Sequence, residues 1–189
     1  MIIEFVIPTY DRTYQLHSML ASIAAQNCNN WIATVVVDDI TTNTIAKNII
    51  SKFNSDKIRC IYTYQRHNDW GHTPREIGKQ LSESDYIIMT GDDNYYIPSL
   101  VWEINIATRT NPGVIYWDMI HSHYNYSYFK CYPNYNQIDM GAFATRRDIA
   151  QSISLNTTYA ADGEFIEDIK KKFPNEEILK IDKVLFIHN

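Results

Sequence analysis

The sequence predicts an α/β fold in which a mostly parallel sheet is covered by helices. Four short apolar segments alternate with segments whose apolar residues recur at helical spacing, in the order β-α-β-α-β-α-β. Two of the predicted strands end in paired aspartates, Asp38-Asp39 and Asp92-Asp93. Parallel sheets bind ligands at the carboxyl ends of their strands, so the same pattern predicts the edge that carries the chemistry.

The first half of the chain supplies the predicted β-α repeats. Short apolar or β-branched runs predict strands at 5–7, 34–37, 57–64 and 86–89. Helices are expected between them, at about 14–25, 45–53 and 74–81. The second of these helices follows a threonine-rich segment with N-cap chemistry, and the third begins at Pro74, which suits a first helical turn.

The second half is less regular. A helix at 98–108 and a strand at 113–119 precede an aromatic segment, 124–135, which favours a hairpin or a loop. A short strand at 140–144, helices at 147–153 and 163–173 and a final strand at 184–187 complete the prediction. With no repeat or linker evident, we expect one domain over residues 1–189, either one module of a larger polypeptide or an enzyme with a minimal second lobe.

Composition narrows the class of protein. The net charge of −5 argues against nucleic-acid binding, which needs a basic face. No apolar run reaches membrane-spanning length, and no basic region precedes the apolar residues of Met1–Phe5, so neither a membrane span nor a secretory signal is expected. The three cysteines have no zinc-binding spacing. These features predict a cytoplasmic protein with reduced thiols.

The paired aspartates carry the chemical prediction. One such pair is explained by helix capping, but two pairs on strands of one sheet favour a shared site. Carboxylates of this kind suit Mg²⁺ or Mn²⁺ bound together with phosphates. The chain has neither a GxxxxGK[ST] loop nor a GxGxxG motif, so a bound nucleotide would be held by metal and side chains.

Three ordered segments resemble the family 2 glycosyltransferases of GT-A fold. Phe5–Arg12 resembles their opening strand, Val35–Asp39 their second strand, and Thr90–Pro98 their metal-binding DxD region. The resemblance implies a Rossmann-like three-layer α/β/α architecture with a small, irregular acceptor lobe. Residues 1–110 would bind the nucleotide sugar, and residues 111–189 would form the acceptor and catalytic half.

The resemblance also implies roles for individual residues of the donor site. Asp39 would contact the base, with uracil the usual partner, and Asp92 the ribose. The other residues expected to bind the nucleotide sugar are Pro8, Tyr10, Arg12, Gly71 and Arg75. Arg75 is a better phosphate candidate than Arg66, for which a surface role is the alternative, because a guanidinium forks onto phosphate.

In the same family, a metal ion bridges the diphosphate. Asp93 is the expected protein ligand for Mn²⁺ or Mg²⁺, and Gly91 stands where many members carry another aspartate. His188 is a candidate second ligand, although an exposed terminal histidine is an equal alternative. His121 and His123 are expected to alternate along a strand and share a face, which fits a polar sheet edge better than a second metal site.

Catalytic and acceptor residues are expected in the second half. An inverting transfer needs a carboxylate that takes the proton of the acceptor hydroxyl. Asp162 is the first candidate for this base and Glu164 the second; simple helix N-terminal charge is the alternative for both. Asp139, in a segment that resembles the acceptor-side strand, would hydrogen-bond a sugar hydroxyl. The Tyr- and Asn-rich segment 124–136 suits carbohydrate, a lid or a docking surface equally.

These observations predict a transferase that moves a sugar from a nucleotide-diphosphate donor, expected to be UDP-linked, to a hydroxyl of a glycan or glycoprotein. A hexosyl- or deoxyhexosyltransferase with a metal-assisted inverting mechanism is expected. A non-catalytic nucleotide-sugar or carbohydrate-binding domain is the alternative. A nucleotidyltransferase is disfavoured, because Pro8–Arg12 replaces the glycine-rich, basic loop expected after its first strand.

Overall fold

A computed structural model describes residues 1–189, except for the side chain of Asn43. The strands are β1 (Ile3–Thr9), β2 (Trp31–Val37), β3 (Ile58–Tyr62), β4 (Tyr86–Met89), β5 (Tyr95–Tyr96), β6 (Val114–His121), β7 (Ser127–Phe129), β8 (Phe143–Arg146) and β9 (Ile178–His188). The α-helices are α1 (Thr13–Ala24), α2 (Asn43–Ile50), α3 (His72–Gln80), α4 (Leu100–Ala107), α5 (Arg147–Ser152) and α6 (Ala161–Lys172).

One sheet runs through the molecule in the order β3-β2-β1-β4-β8-β6-β9-β5, with β7 added beside β6. Strands β3, β2, β1 and β4 are parallel neighbours, as the β-α alternation predicts. Beyond β4 the sheet is mixed, because β8 pairs antiparallel with both β4 and β6, whereas β6 and β9 are parallel. The predicted α/β class with a mostly parallel sheet is confirmed.

Helices pack on both faces of the parallel half. Val6 of β1 faces α3, where a Cβ added at Gly78 would overlap its side chain. Its neighbour Phe5 contacts the ring of Tyr96, with centroids 5.1 Å apart. Successive strand residues point to opposite faces, so these contacts define the two sides of the sheet. Apolar residues of β1, β2 and β4 are almost fully buried between these layers.

Several predicted elements of the second half needed correction. The final strand spans Ile178–His188 and not 184–187, because its first half mixes lysine and aspartate with apolar residues. Residues Met140–Ala142, expected in a strand, form a 3-10 turn that leads into β8. Asp139 caps this turn, so it precedes the strand and does not lie in it.

The aromatic segment after β6 forms a hairpin, which is one of the two structures expected from the sequence. Strand β7 pairs antiparallel with the end of β6. Asp118 of β6 fixes the return of this hairpin, because its carboxylate accepts hydrogen bonds from Tyr128 Oη at 2.7 Å and from the backbone of Cys131 at 2.8 Å. His121 is the last residue of β6 and His123 lies in a 3-10 turn, so they do not alternate along one strand as expected.

Strand register brings the functional edge together. Thr9 pairs with Val37 and Val6 with Met89, so β1, β2 and β4 end side by side. At the opposite side of the mixed half, His121 pairs with His188. Among the described residues, no helix is long and apolar enough to cross a membrane.

Candidate active site

Two adjoining cavities open at the carboxyl ends of the strands. The larger has a volume of about 550 Å³ and lies over the ends of β1, β2 and β4. The smaller, of about 340 Å³, lies between β4, the hairpin after β6 and the start of α6. Five residues line both cavities: Trp70, Arg75, Gly91, Asp93 and His188.

Most of the residues predicted from sequence line one or both of these cavities. Pro8, Tyr10, Arg12, Gly71 and Asp92 line the larger cavity, and Asp139 and Asp162 line the smaller. Arg75, Asp93 and His188 lie in the shared wall. Asp39 and Glu164 are not among the residues that line either cavity. The structure therefore brings together ten of the twelve predicted site residues.

Asp92 is one of two buried carboxylates that line the larger cavity, the other being Asp38. Thr9 Oγ1 donates a hydrogen bond to Asp92 Oδ2 at 2.6 Å, and Arg12 Nη1 lies 3.3 Å from Asp92 Oδ1. Burial raises the pKa of Asp92 to about 6, against the opposing effects of the Thr9 hydroxyl and the Arg12 charge. Near neutral pH this carboxylate therefore accepts hydrogen bonds from a bound hydroxyl group.

Asp93 is more exposed and points its carboxylate toward the shared wall. Arg12 Nη1 lies 2.5 Å from Asp93 Oδ2, so one guanidinium joins both aspartates. The residue before these aspartates is Gly91, and the space around it is too small for a side chain. A Cβ at residue 91 would lie 2.8 Å from Asp93 Oδ1 and 3.1 Å from Asn94 Nδ2. Glycine thus leaves room for this orientation of Asp93.

The two aspartates after β2 have different surroundings. Asp38 is buried and accepts hydrogen bonds from the backbone N–H groups of His67 and Asn68 and from Thr63 Oγ1. These bonds fix the loop that forms one wall of the larger cavity. Asp39, with φ of 132°, uses Oδ1 to accept a hydrogen bond from Thr41 N at 2.9 Å. Sequence reasoning chose Asp39 and missed the wall-forming role of Asp38.

Arg75 connects the two cavities. Its Nε donates to Thr90 O at 3.1 Å, and its Nη1 donates to Trp70 O at 2.8 Å. The same Nη1 lies 3.4 Å from Nδ1 of His72, whose pKa falls to about 4 because of burial and the Arg75 charge. His72 is therefore neutral near pH 7, and the guanidinium is the cationic partner in this part of the wall.

Tyr10 and Arg66 shape the outer part of the larger cavity. The Arg66 guanidinium lies 3.8 Å from the centre of the Tyr10 ring, which is a cation–π contact. Both side chains line the cavity. A planar ligand that stacks on Tyr10 would share this ring with Arg66 or replace it.

Asp139 and Asp162 form the carboxylate pair of the smaller cavity. Asp139 Oδ1 accepts a hydrogen bond from Gly141 N at 2.8 Å, while its Oδ2 lies 3.7 Å from His188 Nε2. Burial raises the pKa of Asp139, and burial together with the charge of Asp139 raises the pKa of Asp162 to about 7. A carboxyl of this kind is suited to exchange a proton near neutral pH.

The local chain explains how Asp162 reaches the cavity. It lies in the first turn of α6, where Gly163 allows the backbone of Tyr135 to approach; a Cβ at residue 163 would lie 2.8 Å from Tyr135 Cα. Glu164 points elsewhere. Its Oε2 accepts hydrogen bonds from Asn156 Nδ2 at 2.9 Å and Thr158 Oγ1 at 2.8 Å, which tie the preceding loop to the helix.

Three histidines cluster in the smaller cavity. The ring centroids of His121 and His188 are 4.2 Å apart, and His123 lies 5.1 Å from the first and 5.3 Å from the second. Burial and the two neighbouring histidines lower the pKa of His121 to about 4. Sequence reasoning placed His121 and His123 at a sheet edge; their position at the end of an apolar strand was the signal that they belong to the site.

Asp93 and His188 fit a divalent cation by their chemistry and position. They supply a carboxylate oxygen and an imidazole nitrogen to the wall shared by both cavities. Such sites commonly bind the metal through one or two side chains and complete its coordination with phosphate oxygens. Within the described part of the chain, no group of three or more His, Cys, Asp or Glu side chains is arranged to hold a metal ion by itself.

The sheet order and the position of the cavities define an α/β protein of GT-A type. The family model described as "Glycosyl transferase family 2" matches residues 4–154, and the chain belongs to this family. The resemblance on which the sequence prediction rested is thereby confirmed.

Solved structures show the same fold over nearly the whole chain. The crystal structure of residues 1–349 of S. aureus TarS has a TM-score of 0.82 and 14% identity, covering 100% of this chain and 60% of that one. The mannosyltransferase PcManGT from Pyrobaculum calidifontis, in complex with GDP-Man and Mn²⁺, has a TM-score of 0.76 and 12% identity, covering 98% of this chain and 56% of that one.

A curated protein from Haemophilus influenzae, described as an uncharacterized glycosyltransferase, is 20% identical over 112 residues. That match covers 59% of this chain and 36% of the relative. The chain therefore spans about a third of the curated relative and about three fifths of the first TarS structure.

Proposed function

We propose that this protein transfers a sugar from a nucleotide-diphosphate donor, UDP-linked, to a hydroxyl of a glycan or glycoconjugate. The observation that carries the proposal is the shared wall of the two cavities, formed by Arg75, Asp93 and His188. A diphosphate bound at this wall would have its nucleoside in the larger cavity and its sugar at the entrance of the smaller one.

Family membership supports glycosyl transfer, and the structures of TarS in complex with UDP and with UDP-GlcNAc support the choice of a uridine donor. In the donor site, Asp92 accepts hydrogen bonds from the ribose and Tyr10 stacks on the base. Asp38 is already engaged by the neighbouring loop. Asp39 lies outside the lining of the larger cavity and uses Oδ1 on Thr41, so a base would have to extend beyond that lining to reach its Oδ2.

The diphosphate carries negative charge that must be stabilised as it leaves. Arg75 faces it from the shared wall, and Asp93 and His188 would hold the metal. A bound Mn²⁺ or Mg²⁺ supplies electrostatic stabilisation to the departing diphosphate. Because Arg12 already pairs with Asp93, a bound cation would either share this carboxylate with the guanidinium or displace the guanidinium toward Asp92 or phosphate.

Asp162 is the proposed base of an inverting displacement. It lies in the smaller cavity, beside Asp139, and its raised pKa gives it a high affinity for the proton of the attacking hydroxyl. Asp139 would accept a hydrogen bond from the acceptor and influence Asp162 through its charge. Glu164 is the second candidate from sequence, but its position in the loop–helix contact favours Asp162.

A donor panel tests the proposal. The protein is incubated with UDP-, GDP- and dTDP-sugars in Mn²⁺, and release of the nucleoside diphosphate is followed. UDP release from at least one UDP-sugar, abolished by EDTA, is expected. Saturable UDP binding without turnover of any donor would support a binding module instead. Unchanged Mn²⁺-dependent UDP binding in Asp93→Ala would contradict the metal assignment.

A further inference from the structure

Trp70 is a large aromatic residue that does not belong to the hydrophobic core. It is 65% exposed, and its φ of +57° lies in the left-handed region. A bulky residue with positive φ is a backbone outlier, and such strain is typical of functional sites. The surrounding loop holds it there: Arg75 Nη1 donates to Trp70 O, and Asp69 Oδ2 accepts a hydrogen bond from Thr73 N at 2.9 Å.

Tyr159 packs against Trp70, and both side chains line the smaller cavity. Its side chain is 77% exposed, and the two ring centroids are 6.3 Å apart at an interplanar angle of 78°. Both residues line the smaller cavity, whereas only Trp70 also lines the larger one. Tyr159 precedes α6 and lies three residues before Asp162, so the aromatic rim and the carboxylate belong to one short segment.

The rest of this cavity has the groups that recognise hydroxyls. Asp93, Asp139 and Asp162 are acceptors, and Asn136 offers both donor and acceptor atoms. Among the described residues that line the cavity, Arg75 is the only lysine or arginine. Its guanidinium already donates hydrogen bonds to two backbone carbonyls. In the proposed complex Arg75 faces the diphosphate, so no lysine or arginine of the described lining remains free beside the three carboxylates, which disfavours an anionic acceptor.

We propose that Trp70 and Tyr159 form a stacking subsite for a neutral sugar ring of the acceptor. The apolar face of the ring packs on the aromatic rim, and its hydroxyls point toward Asp139 and Asp162. Aromatic surfaces combined with a few convergent polar groups are typical of small-ligand sites. This inference rests on the proposed function, because it names the acceptor class for the same active site.

The test is a titration of the whole chain, with UDP and Mn²⁺ present, by neutral methyl glycosides and neutral oligosaccharides. Matched uronic acids serve as anionic probes. The Kd of each ligand is measured from chemical-shift changes in NMR titrations. Saturable binding of at least one neutral glycoside is expected. Tyr159→Ala and Trp70→Ala should weaken it about 10-fold, the equivalent of one stacking contact. Tyr159→Phe should retain wild-type affinity.

Tyr64 provides the matched control, since it is 83% exposed and lines neither cavity, so Tyr64→Ala should bind like the wild type. Absence of binding by every neutral glycoside, equal affinity in Tyr159→Ala, or tighter binding of uronic acids would overturn the subsite. UDP affinity is measured in parallel. Intact UDP binding with no glycoside binding overturns the subsite alone, whereas glycoside binding without UDP binding overturns the proposed function and supports the subsite.

Discussion

Arg12 Nη1 lies 2.5 Å from Asp93 Oδ2, so a cationic side chain already contacts the carboxylate that we propose as the metal ligand. A divalent ion and the guanidinium must therefore compete for Asp93 or share it. We expect this competition to weaken metal binding by the protein alone and to couple it to the nucleotide, whose phosphates offer Arg12 an alternative partner.

This competition yields a prediction for Arg12→Gln. Without the guanidinium, Mn²⁺ should bind the nucleotide-free protein more tightly, because Asp93 loses its internal partner. Mn²⁺-dependent UDP affinity should fall by about 10-fold, because a phosphate-facing charge is lost. Calorimetry of Mn²⁺ and then of UDP measures both effects. Arg109→Gln, in the turn after α4, is the control; Mn²⁺ affinity that does not rise in Arg12→Gln would refute the competition.

Gly91 gives a second prediction about the same carboxylate. In Gly91→Ala the new Cβ would lie 2.8 Å from Asp93 Oδ1 and push that side chain away. UDP binding in Mn²⁺ should weaken by about 10-fold, while UDP binding in EDTA stays unchanged. Because the obstacle is the end of a side chain, thermal stability should hardly change. A large loss of Tm would show that residue 91 supports the fold and not the site.

Gly78 tests the packing that positions the site. A Cβ at this residue would overlap Val6 of β1 and would press on Val36 of β2. Overpacking of this kind costs about 1–3 kcal/mol, so Gly78→Ala should lower the Tm by several degrees. Gly91→Ala is the matched glycine-to-alanine control. Equal Tm values for the two variants would contradict the close approach of α3 to the sheet.

The raised pKa of Asp162 predicts a pH profile. Below a pH of about 7 the carboxyl is protonated and cannot accept the acceptor proton, so kcat/KM should fall as the pH decreases through this value. The sign for stability is opposite. The folded state favours the neutral carboxyl, so the stability that protonated Asp162 contributes is lost as the pH rises from about 4 through about 7. Asp162→Asn should therefore raise the Tm more at pH 8 than at pH 5, measured by calorimetry.

The sequence predicted the first half of the chain better than the second half for a physical reason. Parallel β-α repeats bring the carboxyl ends of their strands to one edge of the sheet. The apolar run before Asp92 and Asp93 is therefore enough to predict that both lie at this edge. In contrast, Asp139, Asp162 and His188 meet only because β8 inserts antiparallel between β4 and β6, and because β9 pairs with β6. No local pattern encodes these pairings, since the first half of β9 interrupts its apolar residues with lysine and aspartate and β5 has only two residues.

The histidine cluster shows the same limit. His121 and His188 are separated by most of the second half of the sequence, and only the register of β6 on β9 places their rings together. Trp70 and Tyr159 lie far apart in the sequence, and no local pattern pairs them. Their contact depends on the loop before α6, which Glu164 fixes through Asn156 and Thr158.

The central claim is that Asp162 is the base of a sugar transfer. The most direct measurement is UDP release from UDP-sugars in Mn²⁺ by Asp162→Asn, compared with the wild type and with Asp168→Asn on the exposed side of the same helix. We predict at least about a 100-fold slower rate for Asp162→Asn, with unchanged UDP affinity, and no effect of Asp168→Asn. A rate for Asp162→Asn equal to that of the wild type would contradict the account.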